Sequence, residues 1–79
     1  MYIIYIIQSQ KDFSYYTGST TNLEKRIKEH NLGLSKYTSE KRPFELYWYC
    51  VFKDKNKAIK FEKYLKSGSG IAFRNKRFI

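Results

Sequence analysis

The stretch YIIYIIQ, residues 2–8, is a run of aromatic and β-branched side chains with apolar residues on both faces of a strand. Such a run is typical of a strand at the centre of a sheet that is covered on both sides. The chain has 79 residues, which is enough for one small domain. Its eight Tyr, six Phe and one Trp can cover such a sheet, because each aromatic ring buries a large apolar area.

A β-hairpin is predicted around the next turn. The polar segment 9–14 is turn-like, and residues 15–19, YYTGS, have the composition of a second strand. With the turn centred on residues 10–11, Tyr5 is expected opposite Tyr16, whereas a longer loop would move that register.

The first helix has clear start and stop signals. Thr21 and Glu24 have the spacing of a capping box, in which the hydroxyl accepts from the Glu24 amide and the carboxylate reaches back. The helix is expected to run to about Asn31, and Gly33 is a natural C-terminal stop.

The rest of the chain adds a third strand and two helices. We expect a basic loop at 34–43, a strand at 46–52 that is again apolar on both faces, a helix from Asp54 or Asn56 to about Lys66, a break at 67–70 and a short basic helix at 71–78. The sequence therefore predicts an α+β fold in the order β-β-α-β-α-α, with a three-stranded, mainly antiparallel sheet flanked by helices.

The net charge of +9 is concentrated in the second half of the chain. Residues 53–79 carry nine basic and two acidic side chains, against seven and five in residues 1–52. This balance favours contact with nucleic acid, although lysine can also serve solubility alone. Cys50 is the only cysteine, so no intramolecular disulfide is expected. The apolar stretch 2–7 is too short to cross a bilayer, and we expect a soluble, cytoplasmic protein.

Two side chains of the first helix face its apolar stripe. On a wheel of about 100° per residue, Arg26 and His30 flank the side that holds Leu23 and Ile27, one turn apart. A functional pair is one interpretation. The other is an edge pair whose polar ends extend past the core to solvent.

Glu62 is the more unusual residue. It falls on the apolar side of the second helix, with Ala58 and Leu65, while the lysines occupy the opposite side. An acid placed there loses solvation unless something compensates. A buried ion pair with Arg26 is one explanation. A ligand for a hard cation is the other, since Mg²⁺ needs only one or two protein carboxylates and keeps several waters.

Several short motifs occur in a fixed order along the chain. These are Ile3-Ile4-Tyr5, Tyr16-Thr17-Gly18, Asn22-Leu23-x-x-Arg26-x-x-x-His30-Asn31-x-Gly33, Lys36-Tyr37-Thr38, Arg42-Pro43 and the helical Glu62. The ordered set resembles the GIY-YIG nuclease superfamily, and most of all its small stand-alone members of bacterial type. The resemblance covers nearly the whole chain and implies that residues 1–79 form a single nuclease domain. The first glycine of the signature is Ile3 here, where a steric rather than a catalytic effect is expected.

The resemblance assigns roles to individual residues. It implies catalytic roles for Tyr5, Tyr16, Arg26, His30 and Glu62, with Glu62 as the ligand of Mg²⁺ or, as a substitute, Mn²⁺. Arg26 would hold the phosphate oxygens with its planar guanidinium. The general base is left open among the two tyrosines and His30.

A second group of residues is expected to hold nucleic acid, DNA in preference to RNA, through its backbone. The group comprises Gly18, Lys36, Lys41, Arg42, Arg74, Asn75, Lys76 and Arg77. The sequence carries no second recognition domain, so the enzyme is expected to read nucleic-acid structure, to act weakly, to dimerise or to rely on a partner protein. A role in DNA repair or recombination would suit these properties.

Three hypotheses therefore follow from the sequence. The first is a metal-dependent endonuclease. The second is a module that binds nucleic acid on the same fold without cutting it. The third is a purely structural role for a Glu62–Arg26 pair, with the charge serving solubility. Glu62 separates the first two, because a pure binder gains nothing from an acid in its phosphate groove.

Overall fold

The computed structural model describes residues 1–35 and 38–67. The elements are β1 (Tyr2–Ser9), β2 (Tyr15–Thr20), α1 (Leu23–Asn31), a 3₁₀ helix (Ser39–Lys41), β3 (Phe44–Phe52) and α2 (Lys55–Lys66). The three strands form one antiparallel sheet in the order β2-β1-β3. The expected α+β fold and its element order are confirmed as far as α2. The expected helix at 71–78 lies outside the described residues.

β1 is the central, two-sided strand that its composition predicts. One face buries Ile4 and Ile6 against Ala58 and Leu65 of α2. The other buries Tyr5 and Ile7 with Phe44, packed against α1. The burial of each such side chain is worth about 1.5–3 kcal/mol, so the strand is fixed by cores on both of its faces.

The hairpin register differs from the expected one. Tyr5 pairs with Gly18, and Tyr16 pairs with Ile7. The last pair before the loop is Gln8 with Tyr15, and Phe13 takes a left-handed φ of 62° inside the loop. The longer loop moves β2 by two residues, which keeps every side chain on its expected face but places a glycine opposite Tyr5.

The helix boundaries need one correction. Asn22, not Thr21, caps α1, and its side chain accepts a hydrogen bond from the Lys25 amide. Gly33 takes a left-handed φ of 77° after the helix, as a C-terminal glycine should. Asp54 caps α2 and accepts from the amides of Asn56 and Lys57.

β3 is an edge strand, and its two faces differ. Trp48, Cys50 and Phe52 pack against the core beneath α2. Tyr49 and Val51, which point the other way, are exposed. On this second face only the start of the strand is covered, where Phe44 is buried with Tyr5 and Ile7. The two-sided apolar pattern of the strand therefore does not produce burial on both faces along its whole length.

Asn31, the last residue of α1, fixes the start of β3. Its side-chain oxygen accepts from the Phe44 amide at 2.6 Å, and its side-chain nitrogen donates to the Phe44 carbonyl at 3.2 Å. The Asn31 side chain thus joins the two ends of the loop 32–43. None of the described helices is long and apolar enough to cross a membrane.

Candidate active site beside the β2 edge

Tyr5 lies at the centre of the candidate site. Its side chain is 1% exposed and reaches from β1 across Gly18 of the neighbouring strand. A Cβ atom at position 18 would lie 2.5 Å from the Tyr5 hydroxyl and 2.6 Å from Cζ. Glycine is therefore required at this point for close approach of the ring, rather than for its backbone freedom.

His30 is fully buried and joins Tyr5 to the loop after α1. Its Nε2 atom lies 2.8 Å from the Tyr5 hydroxyl, and its Nδ1 atom lies 2.6 Å from the Thr38 hydroxyl. Its ring makes edge-on contacts with Tyr5, Tyr16 and Phe44, with centroid distances of 5.3–5.9 Å. The aromatic contacts and the two hydrogen bonds together fix the orientation of the imidazole.

Arg26 lies beside these hydrogen bonds. Its guanidinium pairs with Glu29 at 3.3 Å, and its positive charge acts on both Tyr5 and His30. A neutral imidazole donates from one ring nitrogen and accepts at the other, so His30 joins the Tyr5 and Thr38 hydroxyls in one hydrogen-bonded chain.

Burial controls the protonation of the Tyr5 and His30 side chains. It raises the pKa of Tyr5 to about 12, although hydrogen bonding to Arg26 acts in the opposite direction. Burial also lowers the pKa of His30, and the positive charge of Arg26 lowers it further. At neutral pH the site therefore holds a neutral phenol and a neutral imidazole beside a permanent cation.

Glu62 approaches the same site from α2. Its side chain is 19% exposed, and its Oε2 atom accepts from Lys66 Nζ at 3.0 Å. The same ammonium lies 5.9 Å from the centre of the Tyr16 ring, and the charge of Glu62 is one of the influences that raise the pKa of Tyr5. The Glu62–Arg26 ion pair, one of the two explanations offered by the sequence, is not found. Arg26 pairs with Glu29 and Glu62 pairs with Lys66, each within its own helix.

The carboxylate of Glu62 suits a hard cation that keeps most of its waters. Residues 1–35 and 38–67 contain no group of three or more His, Cys, Asp or Glu side chains that could enclose a metal ion. A single partly exposed carboxylate fits Mg²⁺, which often takes one or two protein ligands and retains water, and does not fit a closed structural zinc site. Lys66, which is half exposed, neutralises the acid and would have to move aside.

Only some of the residues expected to contact nucleic acid lie among the described residues. Lys41 and Arg42 are exposed at the end of the 3₁₀ helix, and Lys41 pairs with Asp12 of the hairpin loop at 3.3 Å. The Arg42 guanidinium lies directly over Gly33, which has no room for a side chain. Gly18 lies beneath Tyr5, as described above. The other expected contacts lie outside the described residues, namely Lys36, Arg74, Asn75, Lys76 and Arg77.

Two residues of the site have contacts that the sequence pattern did not indicate. Thr38 is buried and orients His30, but it comes from an irregular loop with no periodicity. Lys66 bridges Glu62 and the ring of Tyr16, and its i, i+4 spacing from Glu62 was the only available signal. Tyr5, Tyr16, Arg26 and His30 come together as expected, with Glu62 beside them.

The chain is similar in sequence and in fold to proteins of one known family. A family model described as the GIY-YIG catalytic domain matches residues 1–75. The UPF0213 protein CPE1444 of Clostridium perfringens is 46% identical over 67 residues, which cover 84% of this chain and 71% of that protein. The UPF0213 protein SH2523 of Staphylococcus haemolyticus is 43% identical over 67 residues, or 84% and 80%. The solution NMR structure of the UPF0213 protein BH0048 from Bacillus halodurans is similar with a TM-score of 0.59 at 32% identity, covering 99% of this chain and 87% of that one.

Proposed function

The chain belongs to the GIY-YIG catalytic-domain family, and from that premise we propose that it is a divalent-metal-dependent endonuclease that hydrolyses phosphodiester bonds of DNA. The observation that carries the proposal is the convergence of Arg26, the hydrogen-bonded Tyr5–His30 pair and the carboxylate of Glu62 beside one strand edge. Hydrolysis of a phosphodiester needs a fixed cation, a proton acceptor for the attacking water and a site for a metal ion. Arg26 would supply the first, Tyr16, whose ring contacts His30, the second, and Glu62 the third.

Arg26 is the residue that would bind the scissile phosphate. Its guanidinium pairs with Glu29 on the same helix, so its orientation is restricted before the substrate arrives. A planar guanidinium matches two phosphate oxygens better than an ammonium does. Preorganised positive charge of this kind stabilises the extra negative charge of the transition state.

Tyr16 is the residue that would accept the proton of the attacking water. Tyr5 and His30 are buried, and their polar atoms are already engaged with one another and with Thr38. Tyr16 is half-buried, and its ring lies between His30 and the ammonium of Lys66. Tyr5 and His30 are then positioning residues that hold Tyr16 in place.

Glu62 would hold the metal ion. When bound there, Mg²⁺ or Mn²⁺ supplies a charge that stabilises the leaving oxygen and makes bound water more acidic. Release of Glu62 from Lys66 would leave the ammonium free to interact with the nucleic-acid backbone or the Tyr16 ring. Because the carboxylate is partly exposed, the ion can keep the waters that Mg²⁺ prefers.

DNA is the proposed substrate, and repair or recombination is the proposed context. The net charge of +9 supports binding to the phosphate backbone, which carries no sequence information by itself. An enzyme with mainly backbone contacts selects its substrates by shape, and branched intermediates differ from ordinary duplex in shape. A second copy of the chain or a partner protein would supply any further specificity.

The decisive experiment measures nicking of supercoiled plasmid and of a flapped DNA, with Mg²⁺, with Mn²⁺ and with EDTA. Glu62→Gln keeps the size of the side chain and a hydrogen bond to Lys66, but removes the charge that binds the metal. We expect its cleavage rate to fall by about 100-fold or more, the order seen when one group that stabilises a transition state is removed.

Glu24→Gln is the matched control. It removes the same charge from a side chain that is 85% exposed and makes a surface pair with Lys28, so cleavage should be unchanged. Equal cleavage by Glu62→Gln and the wild-type protein would contradict the metal site. Absence of cleavage in both, with salt-sensitive binding retained, would instead favour a module that only binds nucleic acid.

A further inference from the structure

A cavity lies next to the candidate active site, on the α2 side of the sheet. It has a volume of about 340 Å³, at the lower end of the range for small-molecule sites. A space of this size suits one nucleotide and not a duplex. Its lining residues are Tyr2, Ser19, Thr20, Thr21, Lys55, Ala58 and Ile59.

The cavity adjoins the proposed catalytic residues along two elements. On β2, Ser19 directly follows Gly18, which lies beneath Tyr5. On α2, Ala58 lies one turn before Glu62, so the two side chains are neighbours on the helix surface. One helical turn is about 5.4 Å, so a nucleotide attached to a phosphate at Glu62 would reach the cavity.

The chemistry of the lining fits an unstacked nucleotide. Tyr2 offers an aromatic ring, on which a base of any sequence can stack, and Ala58 and Ile59 add apolar surface. Lys55 is exposed and can pair with a phosphate. None of these lining residues is acidic, and the adjacent Asp54 directs its carboxylate at backbone amides of α2.

We propose that this cavity binds the base and sugar of an unpaired nucleotide next to the phosphate at Glu62. The enzyme would then act on strands that have unpaired nucleotides at the point of cleavage, such as flaps and single-stranded junctions. In an intact duplex the base must first be unpaired and unstacked, which costs free energy. A nucleotide that is already unpaired largely avoids this cost. The proposal rests on the proposed function for the position of the phosphate, but the binding can be measured without cleavage.

The test uses metal-free Glu62→Gln protein and labelled oligonucleotides of one sequence, as single-stranded DNA, single-stranded RNA and blunt DNA duplex. Fluorescence anisotropy at fixed salt gives the dissociation constants. Tyr2→Ala should weaken binding of a single strand by about 5- to 100-fold, the effect of losing one stacked base, and binding of duplex by no more than about twofold. Tyr2→Phe keeps the ring and should bind like its parent. The DNA and RNA arms identify which strand the cavity prefers.

Two further variants test the location of the site. Tyr49→Ala removes a tyrosine that is 51% exposed on β3, at the other edge of the sheet, and should leave all dissociation constants unchanged. Lys55→Ala should lower the slope of log K against log salt by about one, because one phosphate contact is lost. Thermal melting of each variant shows whether it is folded.

The inference is overturned by equal losses for single strand and duplex in folded Tyr2→Ala, or by an equal loss in Tyr49→Ala. A Tyr2→Phe variant as weak as Tyr2→Ala would also overturn it, because stacking would not be the cause. These outcomes are separate from the fate of the proposed function. Cleavage can fail while strand binding still depends on Tyr2, and cleavage can succeed while Tyr2 has no effect.

Discussion

Replacing Gly18 with alanine should disrupt the candidate site through one methyl group. The new Cβ would lie 2.5 Å from the Tyr5 hydroxyl, whereas an ordinary carbon contact needs about 3.5–4.0 Å, so the ring must retreat by about 1 Å. Such a shift lengthens the 2.8 Å hydrogen bond to His30 beyond useful range. Overpacking and the lost buried hydrogen bond should together lower the free energy of unfolding by about 2–4 kcal/mol.

Urea unfolding followed by circular dichroism would measure this loss, with Ser19→Ala as the control in the same strand. In a Tyr5→Phe background the hydrogen bond is already absent, but Cζ would still lie 2.6 Å from the new Cβ. Gly18→Ala should therefore still cost about 1–3 kcal/mol there. A cost below about 0.5 kcal/mol in the wild-type background would refute the proposed packing of Tyr5 over Gly18. A cost that disappears completely with Tyr5→Phe would mean that the hydroxyl alone is the obstacle.

Three further predictions concern the same network. Thr38→Val removes the hydroxyl that is hydrogen-bonded to His30 Nδ1, so the free energy of unfolding should fall by about 1–3 kcal/mol, as measured by urea unfolding; no loss would contradict a contribution of this buried hydrogen bond to stability. Because the folded-state pKa of His30 is below its ordinary value of about 6.5, stability should be complete above pH 6.5 and decline as the pH falls towards the folded-state pKa. His30 is the only histidine, so melting temperatures between pH 8 and pH 5 should lose this slope in His30→Gln. Arg26→Lys keeps the charge but not the planar fork, and we expect cleavage to fall by about 10-fold or more without a matching loss of DNA affinity; equal rates would show that charge alone suffices.

The sequence predicted the elements of the fold better than their alignment. The two apolar faces of β1, the stop at Gly33 and the cap at Asp54, which was one of the two expected cap residues, each depend on a local preference, and all three are found. The hairpin register was wrong because the left-handed residue of the loop is Phe13, which carries none of the usual turn signals of glycine or asparagine. The exposure of one face of β3 depends on its edge position, which composition does not reveal.

The residues of the candidate site were likewise predicted only in part from the sequence. Arg26, His30 and Glu62 were identified because a polar side chain on an apolar helix face breaks a periodic pattern. Thr38 could not be identified in this way, since its contact with His30 depends on the path of an irregular loop. The pairing of Glu62 with Lys66 and not with Arg26 depends on which side of the sheet each helix covers, which is a tertiary property.

The amide of Asn31 has a consequence for how this protein can change over evolution. By holding both backbone groups of Phe44, it fixes the two ends of the loop 32–43 independently of what lies between them. The entropy of closing a loop grows only with the logarithm of its length, so inserted residues carry little thermodynamic cost. In the described part of the loop, an insertion must keep the Thr38 hydroxyl against His30 and the carbonyl groups of Lys41 and Pro43 against the hairpin. New recognition residues can therefore be acquired in this loop while the residues of the candidate site are inherited without alteration.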